Sequence, residues 1–183
     1  VNVWPNWVDL LIVTVIFRAC YTGFARGLLG EFFHCIGAVS VTCLTVNYAK
    51  FITAWLRTWM TWADPTVSAF VIFWVFFLGL SLAVRVLLKF VTRFVKWERV
   101  HWLIQGVAIA LGGLRGLWWA GFLTIVFVSS GFTYLQASVE ERSVLGPRLL
   151  IVSREYLERT ADLFPGAEHR NKTFVPPLKQ TAK

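Results

Sequence analysis

Arg26 and Arg115 are the residues whose type and surroundings could do chemistry in this chain. Each sits in the pattern Gly-x-x-Arg-Gly-Leu, at Gly23–Leu28 and again at Gly112–Leu117, and each pattern lies inside a long apolar run. A guanidinium within lipid-length hydrophobic sequence is costly, so it is more often kept for a purpose than by accident. The glycines around the two arginines, Gly23, Gly27, Gly112 and Gly116, predict helix breaks or close backbone approaches. Glu31, one turn further along from Arg26, can supply the opposite charge. A desolvated cluster of Arg26, Glu31 and Arg115 could gate a path, hold an anionic head group or fix helix register. The plainer reading is that the arginines anchor helix starts at the membrane surface and the glycines let helices pack closely.

The remaining side chains offer less. His34 follows Glu31 by three positions, and a Glu-x-x-His pair on one helix face can ligate a metal in a bundle. Two further ligands would be needed, and no other histidine falls in an expected span, so no metal or other cofactor is expected. Cys20, Cys35 and Cys43 lie in apolar runs without CxxC spacing and read as small buried hydrophobes. Ser–Lys, Gly-x-Ser-x-Gly and HExxH arrangements, paired intramembrane aspartates and a phosphate-cradling loop are all missing from the sequence. The chain is therefore not expected to be an enzyme. The repeated Arg-Gly pattern suggests duplicated halves, but the match is confined to one six-residue stretch and nothing acidic follows the second copy.

Positioning these residues is the work of apolar helices. The chain is 57% hydrophobic and 15% charged, against about 45–50% and 25% for a soluble domain. Positions 1–135 form an apolar body and 136–183 a polar tail. The first apolar run, Trp7 to Ala49, exceeds the ~20 residues that cross a bilayer. It should divide at Gly23–Gly30 into spans at 7–24 and 28–49, joined as a tight hairpin. It has no basic stretch before it and no small-residue cleavage site, so it is expected to stay in place as a span. Lys50–Pro65 is an aromatic connector whose Trp55, Trp59 and Trp62 suit an interfacial belt. Asp64-Pro65 then reads as a helix start, opening a third span at 66–88.

The run from Leu103 to Leu135 is again too long for one straight span. Either it is a single tilted helix with Arg115 buried, or 103–113 is re-entrant or interfacial and 114–135 is the span. The second is favoured, because it brings Arg115 to the interface. Asp9 at the mouth of the first span, Arg85 in the last turn of the third and Trp97 in the following basic linker are expected as interface anchors. Arg18 is close enough to the boundary to snorkel.

The fold class is thus an all-α membrane protein of four transmembrane helices with a C-terminal amphipathic helix. That helix, at 147–164, carries an apolar stripe of Leu149, Val152, Tyr156 and Leu163 flanked by Leu150, Leu157 and Phe164. It should lie on the membrane or dock on a partner, since one stripe cannot bury itself. An extended end follows Pro165. Arg26, Arg85, Lys89, Arg93, Lys96 and Arg99 fall on one side of the spans and only Lys50 and Arg57 in the short loop opposite, so the first side should be cytoplasmic and both termini periplasmic. The net charge of +8 comes from basic residues clustered between apolar segments, which suits anionic lipid rather than nucleic acid.

Several of these residues stand in a familiar order. Asn6-Trp7-x-Asp9, then Gly23-x-x-Arg26-Gly27-Leu28-x-x-Glu31, the Gly-rich approach from Gly106 to Arg115-Gly116, and Ser143-x-x-x-Pro147 together resemble the bacterial colicin V production protein (CvpA) family. The resemblance covers roughly Asn6 to Pro147. It departs in the basic linker, where Trp97-Glu98-Arg99-Val100-His101 stands in place of the family's Gly/Leu-Asp-Arg element. The resemblance implies a four-span inner-membrane protein linked to colicin V production or export and to envelope homeostasis. It brings no catalytic residues. The expected partners are membrane lipids and other membrane subunits or further copies of the chain. A small transporter or channel with an Arg-lined path is the alternative.

Overall fold

The computed structural model describes residues 6–57, 65–94 and 102–165. These form six helices: α1 (Trp7–Arg26), α2 (Leu28–Arg57), α3 (Pro65–Phe94), α4 (Trp102–Ser129), α5 (Thr133–Glu140) and α6 (Gly146–Ala161). No strand occurs among the described residues. Four helices are long and apolar enough to cross a membrane, over Trp7–Arg26, Leu28–Ala49, Val67–Phe90 and Trp102–Ser129. The protein is a multi-pass membrane protein built from them.

α1 starts from a reciprocal cap. The Asn6 side chain accepts from the first-turn backbone, and the Asp9 carboxylate accepts from the Asn6 N–H at 3.0 Å, which satisfies two donors that a helix start otherwise leaves open. It stops at Gly27, whose φ of 77° is readily adopted only by a residue lacking Cβ. α2 begins at the next residue. The two helices nevertheless do not form the expected tight hairpin, because α1 packs chiefly on α4. The reason is surface shape. Ala19 and Gly23 on α1 face Ala108, Gly112 and Gly116 on α4 so closely that a Cβ on Gly112 would lie 2.6 Å from the Ala19 carbonyl oxygen, and one on Gly23 2.5 Å from that of Ala108. Without water to drive association, backbone contact of this kind is what holds membrane helices together.

α4 is the centre of the bundle, with half of its apolar window buried against 22% for α3. It runs unbroken from Trp102 to Ser129. The re-entrant segment favoured for 103–113, with a span at 114–135, is therefore corrected to one continuous helix. Arg115 does not need the interface because a carboxylate meets it inside. α3 closes on α2 where Val84 and Leu88 cover Gly37. It meets α4 through aromatic rings, Phe77 against Trp119 at 5.6 Å and Phe77 against Phe122 at 5.3 Å between centroids. Much of the Trp and Phe content is thus spent on packing. α3 continues past Arg85 to Phe94, so Arg85 does not lie in its last turn.

The tail helix also departs from expectation. α6 buries Gly146, Leu150, Leu157 and Ala161 against α4 and α2 of its own chain. Val152, Tyr156 and Leu163 of the expected stripe stay exposed. Small residues set the docked face: a Cβ on Gly121 of α4 would run into the Ser153 side chain.

Candidate functional site: a carboxylate between two arginines

The structure brings Arg26, Glu31 and Arg115 together. Glu31 lies in the first turn of α2 with its side chain fully buried. The Nε of Arg115 stands 2.6 Å from its Oε1, and Nη1 of Arg26 3.8 Å from its Oε2. Nη2 of Arg115 donates to the Thr22 hydroxyl at 2.8 Å. Side chains on a helix lean toward its N-terminus, so Arg115, in the middle of α4, is carried back toward the start of α2. One carboxylate therefore gathers α1, α2 and α4.

The contact is ionic rather than directional. Neither oxygen of Glu31 receives an aligned hydrogen bond, and the Arg115 Nε–H is not aimed along one. Charge attraction in a low-dielectric setting holds the pair, while the carboxylate keeps unused accepting capacity. Arg26 is held more loosely, with 40% of its side chain exposed against 11% for Arg115. Next to the pair, His34 places Nδ1 2.7 Å from the Gly30 carbonyl oxygen. A carbonyl only accepts, so Nδ1 carries the proton and Nε2 is left over. Among the described residues no three of His, Cys, Asp and Glu gather at a distance that would hold a metal. The Cys35 thiol rests on the Leu111 carbonyl at 3.5 Å.

The glycines divide by role. Gly27 is the helix break, and Gly23, Gly112 and Gly116 are contact surfaces between α1 and α4. Asp9 stands in the first turn of α1, at the mouth of the span. It is 5% exposed and clasps the α5–α6 connection, accepting from Ser143 Oγ at 2.6 Å, Leu145 N at 2.9 Å and Val144 N at 3.1 Å. The Ser143 hydroxyl accepts in turn from Gly146 N at 2.8 Å. Arg85 is exposed. Trp97 and Asp64 lie outside the described residues.

Sequence reasoning missed several polar contacts. Asn47, fully buried on α2, donates to the Ala161 and Pro165 carbonyls at 3.0 and 3.3 Å and so ties down the end of α6. Trp118 donates to Thr42 at 2.9 Å, joining α4 to α2. A single Asn or Thr in an apolar run has no spacing partner to flag it. Thr22 did have a signal, since it sits one turn before Arg26 on the same face.

Four apolar helices, three of them joined at the buried Glu31 carboxylate, define a polytopic helical membrane protein. The sequence profile of the colicin V production protein family matches residues 8–151, a span that takes in both Arg-Gly elements, Glu31 and Ser143–Pro147. The chain belongs to that family. No curated protein and no solved structure matches it.

Proposed function

We propose that this chain is a non-enzymatic subunit or accessory of a bacterial inner-membrane assembly, linked through its family to colicin V production or export and to envelope homeostasis. Both termini face the periplasm, as the excess of Arg and Lys at the opposite end of the spans favours. The carrying observation is the Arg115–Glu31–Arg26 contact, which joins three helices at one carboxylate. Long stretches of α1 and α3 expose large apolar side chains, among them Phe17, Tyr21, Leu78 and Leu82, suited to lipid and to other membrane subunits or copies of the chain. The test compares Arg115→Leu with Arg57→Leu in native membranes, scoring co-purifying membrane proteins and colicin V output. Loss with the first substitution alone is expected, and equal tolerance of both rejects the reading.

A second reading, a small transporter or channel with an Arg-lined path, is favoured by the unfilled accepting positions on Glu31. It requires water at the cluster. A charged thiol reagent should then label Thr22→Cys in a variant lacking Cys20, Cys35 and Cys43, whereas a dry contact leaves that position unlabelled.

A further inference from the structure

The polar cluster does not balance its own charge. Val84 and Leu88 of α3 pack on Gly37, one turn beyond His34 on α2, and Arg85 on that turn of α3 is within electrostatic reach of His34 and Arg26, as is Arg115. Among the described residues Glu31 is the one carboxylate that faces them, and Arg115 takes it at 2.6 Å. Arg26 stands off at 3.8 Å and is 40% exposed. Arg85 is exposed, lies inside the apolar window Val67–Phe90 of α3, and forms no ion pair among the described residues. Asp9, the other carboxylate in a span, is at the far end of α1 and already accepts four donors. Among the described residues two guanidinium charges are left over, one at the end of α1 and one on α3.

Uncompensated guanidinium groups next to hydrocarbon are costly and are neutralised by partners. The arginine fork matches phosphate oxygens, two N–H donors at a time. Basic recesses between membrane helices on the cytoplasmic side hold head groups in this way. We propose that Arg26 and Arg85, with His34 beside them, bind an anionic phosphate group, supplied by a lipid head group or by free phosphate. Glu31 has a definite part in this: by neutralising Arg115 and only grazing Arg26, it leaves the outer guanidinium groups for the ligand. The proposal does not depend on the assembly reading above, because binding is a property of the isolated chain.

The experiment uses the purified full-length chain, delipidated in neutral detergent. Native mass spectrometry and thermal unfolding follow the addition of phosphatidylglycerol, phosphatidylcholine, or inorganic phosphate with phosphatidylcholine. One retained phosphatidylglycerol per chain and a raised unfolding midpoint are expected, with no rise for phosphatidylcholine alone. An equal rise with inorganic phosphate assigns free phosphate as the source; a rise with phosphatidylglycerol only assigns the lipid. Arg26→Leu with Arg85→Leu should weaken binding by about tenfold or more, the loss of at least one charge-assisted contact, while Arg57→Leu leaves it unchanged. If the double leucine variant does not fold, Arg26→Lys with Arg85→Lys keeps the charge and removes the fork, and should still weaken binding severalfold. No rise with either anion, or unchanged binding in both double variants, overturns the proposal.

Discussion

The protein buries two carboxylates in its spans, one at each end of α1, and treats them in opposite ways. Asp9 accepts from four donors, three of them backbone N–H groups fixed by the cap and by the turn into α6. Every lone pair it can use is taken. Glu31 touches two guanidinium groups yet receives no aligned hydrogen bond. A carboxylate saturated by backbone donors is a clasp with one geometry. A carboxylate held by charge tolerates movement of its partners, because Coulomb attraction falls slowly with distance and angle. The end of the bundle around Asp9 is therefore built to stay closed, and the end around Glu31 keeps the capacity to rearrange or to take a ligand.

Substitution should separate the two ends, with unfolding in detergent as the measurement. Glu31→Gln removes the charge and leaves Arg115 buried beside a neutral amide, at a cost of about 3–5 kcal/mol. Asp9→Asn introduces an amide group that must face two donors wherever it is placed. It should cost about 2–4 kcal/mol as those donors go unsatisfied, and it should loosen the 141–146 segment to proteolysis. Parity of Asp9→Asn with wild type would erase the contrast. Asn47→Ala frees the end of α6 and should cost about 1 kcal/mol, seen as faster amide exchange in α6 than in α4. The smallest effect is expected at the exposed Arg159–Glu155 pair, where Arg159→Ala should change stability by less than about 0.5 kcal/mol.

How much of this was legible beforehand follows the same division. The Arg-Gly elements, Glu31 and the number of spans could be read directly, because charge and glycine stand out in apolar sequence. The continuity of α4 could not. The reading assumed that Arg115 had to find water, whereas it finds Glu31 across the bundle, a pairing that joins residues 84 positions apart. The docking of α6 was hidden for a related reason. Its buried face is made by Gly146, Ser153 and Ala161 as much as by leucines, so the most apolar stripe is not the one that packs. Asp9 was visible as a charge at the mouth of the first span, but its grip on Ser143, Val144 and Leu145 depends on chain that returns from far along the sequence.

Glu31 and Arg115 act as one coupled unit within the bundle, and a double-mutant cycle measures that directly. Glu31→Gln, Arg115→Met and the combined variant are unfolded in the same detergent. The prediction is that each single change is strongly destabilising and that the double variant recovers much of the loss, giving a coupling of about 2 kcal/mol or more. Additive losses, within about 0.5 kcal/mol, would contradict the account.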